Sequence, residues 1–204
     1  MAGRGRLIAL EGIDGCGKTT QARRLADILG ARYTSEPGDS ALGARLRRLL
    51  LDPDLPALSA RAEALLMAAD RAEHVDEVIR PALESGRWVV TDRFSGSTLA
   101  YQGHGRGLGL DGLRALVEWA ADGVVADLVV LVDVPLPVAR DRLGSARPDR
   151  LEGLDEGFHR RVRDGFLALA AEDPDRWVVV DGTAGADDVA RAVLDATTAR
   201  LGVP

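Results

Sequence analysis

A chain of 204 residues, 46% apolar and 28% charged, is long enough to bury a core without covalent staples and has the balance of an ordinary globular protein. Its net charge of −6 excludes a broad nucleic-acid or anionic-membrane surface, because both need a dominant basic field. The single cysteine, Cys16, excludes an intramolecular disulfide and fits a reducing, cytoplasmic compartment.

The N-terminal segment carries arginines at 4 and 6, but its apolar run is too short for a signal sequence or a membrane span. Short apolar runs at Leu7–Leu10, Ala31–Thr34, Trp88–Thr91, Leu128–Val134 and Trp177–Val180 read as strands, mostly buried on both faces. Helical patterns fill the intervals: Gly17–Leu29, Ala41–Leu51, Ser59–Glu84, Asp111–Ala121, Val138–Leu143, Asp155–Ala171 and Ala186–Leu201. The long third helix carries Ala62, Leu65, Leu66, Ala69, Ala72, Ile79 and Leu83 along its apolar side. Pro81 is expected to kink its last turns, and Gly86 to stop it. No repeat or linker interrupts the chain, so residues 1–204 are expected to form one α/β domain. Its core is a five-stranded parallel sheet with helices on both faces. In such sheets ligands bind at the carboxyl ends of the strands, which directs attention to each strand-to-helix junction. The three histidines, His74, His104 and His159, lack metal-ligand spacing.

The first junction reads Gly12-Ile13-Asp14-Gly15-Cys16-Gly17-Lys18-Thr19-Thr20 and matches G-x-x-x-x-G-K-[ST] between a strand and an amphipathic helix. Its glycines let backbone N–H groups wrap a phosphate at a helix N-terminus. Lys18 is the only lysine among 26 basic residues. An ammonium is a narrow point charge on a flexible stem, able to pass a tight loop that a planar guanidinium would not. The reading is a nucleotide site for ATP, with Lys18 on the β- and γ-phosphates and the Thr19 hydroxyl on Mg²⁺. Cys16 fits either a thiol activated by the helix N-terminus or a small filler of the loop, and the second is favoured.

The third strand ends in Asp92-Arg93, a charged pair expected to face the crevice, where a guanidinium can fork two N–H groups onto a phosphate. The run continues Phe94-Ser95-Gly96-Ser97-Thr98-Leu99-Ala100-Tyr101-Gln102-Gly103. Together with the phosphate loop, Glu36-Pro37-Gly38, Ala68-Ala69-Asp70-Arg71-Ala72-Glu73-His74 and Arg147-Pro148-Asp149-Arg150-Leu151-Glu152, it closely resembles the thymidylate kinases over essentially the whole chain. The resemblance implies the P-loop nucleoside monophosphate kinase fold, a homodimer, and phosphorylation of dTMP to dTDP by ATP and Mg²⁺. It also implies roles for individual residues. Arg93 would hold the dTMP phosphate, with Glu36, Pro37 and Arg47 nearby, and Asp92 would organise the metal. Arg71 would bond the thymine ring, and Thr98 and Gln102 would lie near the base. Tyr101 would sit under the deoxyribose, and Asp14 would contact its 3′-hydroxyl. Two stretches depart from the family pattern. Met67 stands where the family usually places a phenylalanine on the base, and Ser35-Glu36-Pro37-Gly38-Asp39-Ser40 stands where bacterial members commonly read R-E-P-G-G-T, so that Ser35 replaces an arginine and Asp39 adds a negative charge.

Residues 143–153 read as a short lid between two helices. These kinases place a catalytic arginine in the phosphate loop or in the lid. The loop here has none, so the resemblance assigns that charge to Arg150, with Arg147 second. The same residues leave open another pyrimidine or modified-nucleotide kinase. A reading of a different class is a P-loop binding protein without transfer. No nucleic acid or membrane partner is expected.

Overall fold

The protein is described here from a computed structural model covering residues 4–144 and 147–203. Five strands, β1 (Leu7–Glu11), β2 (Arg32–Ser35), β3 (Val89–Asp92), β4 (Leu128–Asp133) and β5 (Trp177–Asp181), form one parallel sheet in the order β2-β3-β1-β4-β5. The register is continuous: Ile8 lies between Val90 and Leu128, and Leu10 between Asp92 and Val130. Every strand of β1 and β3 is buried, as uninterrupted apolar runs require. The outer strands differ from that expectation. Arg32 of β2 and Val179 of β5 are exposed, because an edge strand has one neighbour and a half-covered face.

Eight helices among the described residues cover the sheet. We label them α1 (Lys18–Leu29), α2 (Gly43–Leu51), α3 (Ala60–His74 with its continuation), α4 (Ser95–Thr98 with its continuation), α5 (Leu110–Ala121), α6 (Leu136–Leu143), α7 (Glu156–Glu172) and α8 (Ala186–Leu201). Alternate residues of β1 enter separate apolar clusters. Ile8 and Leu10 join Leu25 of α1 and Val189 and Val193 of α8, whereas Leu7 and Ala9 join Val75, Ile79, Leu83 and Val124. The period of two in a strand therefore commits both faces of the sheet to the interior.

The third helix departs from expectation in two ways. Ser59 caps α3, accepting from the Ala62 N–H at 3.3 Å. After His74 the helix widens into π-type turns at Val75–Ile79, where the Arg80 N–H reaches back five residues to Val75 O, before an α-helical last turn at Arg80–Glu84. Pro81 has no N–H to donate, and the wide turn directly before it is where the ladder adjusts. Gly86, at φ +82°, ends the segment as expected. More consequential is which face is buried. Glu63, Asp70, Arg71 and His74 are buried, while Leu65 is 59% exposed and Ala69 is exposed. Only Ile79 and Leu83 of the expected apolar side reach the core. The polar face goes inward because its charges find partners there, which is the condition for burying them.

A helix was also missed between Arg93 and Gly107. Ser95–Thr98 is α-helical and runs directly into π-helical Leu99–Gly105. Its glycines depress helix propensity, yet contact demands at least one of them. A Cβ on Gly96 would lie 2.7 Å from the Trp177 ring and 2.9 Å from Glu11 Oε1.

Candidate active site

The carboxyl ends of the two central neighbours, β1 and β3, carry the chemistry. Between β1 and α1 the chain turns at Gly15, φ +81°, and Gly17, φ +95°, in the left-handed region that glycine adopts freely. At Gly15 there is no space for a side chain, since a Cβ would press into the Ala139 carbonyl of α6. Ile13 and Cys16 turn their side chains into the core and offer the loop their backbone only, with Cys16 N donating to Ile13 O at 3.2 Å. Burial pushes the Cys16 thiol up, so it is a filler rather than a nucleophile. Thr20 is exposed on α1, next to Thr19 in the first turn of the helix. Lys18 is 6% exposed, its Nζ 3.3 Å from Asp14 Oδ1 and 3.4 Å from Ile13 O.

Thr19 Oγ1 donates to Asp92 Oδ2. The other oxygen, Asp92 Oδ1, is buried and accepts no hydrogen bond among the described residues. A hydroxyl beside a carboxylate with an unused oxygen suits Mg²⁺, which needs one or two protein ligands and takes the rest from phosphates and water. No group of three or more His, Cys, Asp or Glu suited to a metal occurs among the described residues.

Arg93 follows Asp92 with φ +72°, a backbone conformation that costs a non-glycine residue energy and recurs at functional sites. Its guanidinium is held on every side. Nη1 donates to Gly12 O at 3.1 Å and Ser97 Oγ at 2.8 Å, and Nη2 to Asp14 Oδ1 at 2.5 Å and Tyr101 OH at 3.1 Å. The Tyr101 hydroxyl donates in turn to Asp14 Oδ2 at 2.6 Å. Burial opposes the Asp14 charge, but Arg93, then Lys18, and then the Tyr101 hydroxyl together hold its carboxyl well below the usual range. Burial raises the Tyr101 phenol well above its usual value, so it stays a donor.

Two adjoining cavities, about 300 Å³ and 340 Å³, meet at Asp14, Lys18, Thr19, Glu36, Pro37, Arg47 and Arg93. The first is also lined by Met67, Phe94, Thr98, Tyr101 and Gln102, so every acceptor-side residue expected from the sequence except Arg71 borders it. Arg71 lies immediately behind. Its Nε and Nη2 donate to Glu36 Oε2 at 3.0 and 2.8 Å, and Nη2 also reaches Phe94 O and Thr98 Oγ1, while Nη1 is buried with no acceptor among the described residues. His74 lies between Glu36 Oε1, 3.0 Å from Nδ1, and Thr34 Oγ1, 2.6 Å from Nε2. Burial raises the Glu36 pKa, but Arg71 and His74 outweigh it and hold the carboxyl below its ordinary value. Asp70, beside the same cluster, is pushed up to about 6 by burial and by the Glu36 charge. Arg47 donates to Pro37 O at 2.7 Å and lines both cavities.

The lid arginines do not join this group. Arg150 turns away from the loop, donating from Nε to Leu50 O at 2.8 Å and facing the buried Glu63 carboxylate at 3.5 Å. Glu63 also accepts from Gln102 and Arg106, so a fully buried carboxylate on α3 draws Arg150 inward. Arg147 pairs with exposed Asp54 at 2.5 Å. Ser145 and Ala146 of the expected lid lie outside the described residues. Besides Arg93, the phosphate loop is touched by Arg142 on α6, which donates to Cys16 O at 3.2 Å and Gly182 O at 2.8 Å. Nothing in the sequence singled it out. Glu11, at the end of β1 and in contact with the Arg93 segment, was missed as well.

A phosphate cradle with a metal-side carboxylate, and a second fixed cation bordering the same cavity, has a place for a donor and a place for an acceptor, which is the organisation of a P-loop phosphotransferase. The comparisons narrow the class. The thymidylate kinase family model matches residues 10–193. Thymidylate kinase of Cupriavidus necator is 46% identical over 194 residues, covering 91% of this chain and 94% of that protein. Thymidylate kinase of Carboxydothermus hydrogenoformans is 47% identical over 185 residues, covering 88% and 90%. The crystal structure of thymidylate kinase from Ehrlichia chaffeensis superposes with a TM-score of 0.77 at 32% identity, covering 95% of this chain and 98% of that one. The chain belongs to the thymidylate kinase family.

Two predictions arise from the buried carboxylates. The Glu36 pKa is lowered on folding, so its contribution to stability is present above the unfolded value and is lost as pH falls through the folded one. In urea unfolding between pH 6 and 3, Glu36→Gln should flatten the acid loss of stability seen in the parent. An unchanged slope would refute the pairing with Arg71. For Arg150→Ala, loss of the bonds to Leu50 O and Glu63 should lower stability by about 1–3 kcal/mol. Turnover of the folded enzyme should stay within about threefold, under half of the 1.36 kcal/mol that a tenfold change represents. A fall of about 10²-fold at unchanged stability would return Arg150 to a catalytic role.

Proposed function

We propose that the protein transfers the γ-phosphoryl group of ATP to the phosphate oxygen of dTMP, forming dTDP. The observation that carries this reading is the placing of Arg93. Its guanidinium follows a strained backbone and borders the same cavity as the phosphate-loop lysine, the two flanking one Asp14 oxygen at 2.5 and 3.3 Å, so that an acceptor phosphate held by one would lie beside a donor phosphate held by the other. The thymidylate kinase relatives supply the nucleobase. Arg71 Nη1, a buried donor with no acceptor among the described residues, suits a pyrimidine carbonyl. Tyr101, buried beneath the same cavity and bonded to Asp14, presents a rigid face to a deoxyribose. Met67 borders the cavity and offers the base a polarizable thioether in place of an aromatic ring.

The acceptor phosphate is already ionised, so the chain supplies no general base. Lys18 and the loop N–H groups hold the donor phosphates, and Arg93 aligns the acceptor oxygen for in-line attack. Thr19 and Asp92 would hold Mg²⁺, which when bound neutralises charge on the transferring phosphoryl group. Arg142, tying the loop to the turn after β5, keeps the cradle in register. Arg147 is the lid arginine that can reach the phosphates, because its partner among the described residues, Asp54, is an exposed carboxylate for which water competes. The single cysteine supports a cytoplasmic location, and no helix among the described residues is long and apolar enough to cross a membrane. A homodimer is supported by α3, which turns Leu65 and Ala69 outward in one stripe, and by the 80% exposed Trp119 of α5.

In a coupled ADP-release assay across dTMP, dUMP, UMP, CMP and AMP, turnover above the no-acceptor background should be greatest with dTMP. Lys18→Ala should reduce it by about 10²–10³, the cost of one preorganised transition-state donor. A maximum with UMP or CMP would redirect the assignment, and no acceptor-dependent turnover would overturn it. For assembly, Leu65→Asp should convert a dimer of the parent chain to a monomer in sedimentation velocity at equal concentration. An unchanged sedimentation coefficient would exclude this face.

A further inference from the structure

Glu11 is fully buried, and the transfer chemistry does not call on it. It ends β1, immediately before the phosphate loop, and its carboxylate is bound to the segment that follows Arg93. Oε1 accepts from the Phe94 N–H and the Ser97 N–H, both at 3.0 Å, and Oε2 accepts from the Ser97 hydroxyl at 2.6 Å. The two N–H groups belong to the cap and first turn of α4; helix-start donors have few partners of their own, and the Ser97 N–H is shared between Glu11 and Phe94 O at 3.1 Å. Ser97 Oγ is also where Arg93 Nη1 donates, at 2.8 Å. A hydroxyl has one proton. By taking that proton, Glu11 directs it away from the guanidinium and turns the two lone pairs of Ser97 Oγ toward Arg93. We propose that Glu11 is the positioning residue for Arg93: it fixes the start of α4 and orients the Ser97 hydroxyl so that the guanidinium is held toward the acceptor phosphate.

The direction of that hydrogen bond makes the device sensitive to protonation. A neutral Glu11 carboxyl has one oxygen that donates, and a proton on Oε2 would point at Ser97 Oγ and reverse the bond. Burial pushes the carboxyl up to about 7, outweighing the Ser97 hydroxyl, the Arg93 charge and the two backbone N–H groups. Arg93 is the charged group facing Glu11 from the β3–α4 side. From the opposite side a cavity of about 510 Å³ reaches Glu11 past Gly96 and Trp177, with Arg114 and Glu118 of α5, Glu172 of α7, and Asp173 and Arg176 of the following turn around it. That cavity is separate from the one bordered by Met67 and Gln102, so a nucleotide seated there leaves the back of Glu11 reachable by a proton.

The test compares Glu11→Gln, Ser97→Ala and the double variant with the parent, measuring kcat and KM for dTMP and for ATP from pH 6 to 8. The Gln amide can accept from Phe94 and Ser97 N–H, but it donates to Ser97 Oγ where Glu11 accepts. At pH 8, Glu11→Gln should lower kcat/KM for dTMP about tenfold, on the scale of one charge-assisted hydrogen bond, with KM for ATP within about twofold. The dTMP phosphate itself titrates near pH 6, so the informative quantity is the parent-to-variant ratio, in which that effect cancels. It should fall from about 10 at pH 8 to about 2 at pH 6, as Glu11 of the parent takes up a proton. Ser97→Ala should give a similar loss, and the double variant no further loss, because one hydrogen-bond relay is removed in each case. A ratio of one throughout, a pH-independent ratio, or additive losses would overturn the proposal. The inference rests on Arg93 as the acceptor-phosphate residue, and Arg93→Ala separates the two failures. Normal dTMP kinetics in that variant would sink the Arg93 assignment, whereas a crippled Arg93→Ala beside a silent Glu11→Gln would sink the positioning role alone.

Discussion

The site depends on one electrostatic constraint: a carboxylate placed inside a phosphate-binding loop. Asp14 lies among N–H groups and cations arranged for phosphate, and it is tolerated there because Arg93 and Lys18 both attend it. In return it holds both cations at the mouth of the cavity. A phosphate entering does not meet free charges; it competes with Asp14 for Arg93 and Lys18. Part of the binding free energy is therefore spent on exchanging partners, which favours a doubly charged phosphate monoester over a weaker anion. Tyr101 stabilises the arrangement by donating to Asp14 from below while its ring sits 4.9 Å from the Arg93 guanidinium.

A second consequence concerns α3. Burying Glu36, Asp70, Arg71 and His74 together is expensive unless nearly every lone pair and proton is matched. The matches run from β2 through the Glu36 turn to α3 and on to the start of α4, by way of Thr34, His74, Glu36, Arg71 and Thr98. Four segments are thereby tied behind the acceptor cavity by directional bonds, where apolar packing alone would allow sliding. In its first four turns α3 leaves Leu65 and Ala69 on the outer side, and it joins the core chiefly through the later Val75, Ile79 and Leu83.

Much of this was legible in the residues. The alternation of apolar runs and helical patterns gave five parallel strands with helices on both faces, and G-x-x-x-x-G-K-[ST] located the loop, because backbone geometry demands glycine at particular places. Arg71, Met67, Thr98, Tyr101 and Gln102 came from resemblance to a family, since periodicity does not indicate which helical arginine is buried. What could not be read had physical causes. Periodicity finds apolar faces, so it pointed α3 the wrong way, and propensity discounted the glycine-rich α4. Arg150 in Asp149-Arg150-Leu151-Glu152 looked available for catalysis because its buried partner, Glu63, lies 87 residues away in sequence. Glu11 was hidden for the same reason, as its three donors are supplied by a segment more than 80 residues distant.

The departures at Ser35 and Asp39 are absorbed by the local geometry. Replacing a cation by Ser35 and adding Asp39 removes positive charge from the turn that borders the acceptor phosphate. Asp39, however, takes a hydrogen bond from Thr34 Oγ1, which directs its carboxylate at the β2 end, and it lines neither cavity. The lost cation has two substitutes at the same cavity wall. Arg47 reaches it from α2 and Arg23 from α1, the latter lying 5.2 Å from the Tyr33 ring. Coulomb attraction is long-ranged and only weakly directional, so a phosphate can be served by a guanidinium arriving from a different element. A hydrogen-bond relay such as Glu11–Ser97–Arg93 has no comparable freedom. That difference explains how this chain can vary the arginine of the turn after β2 while keeping the segment after β3 intact.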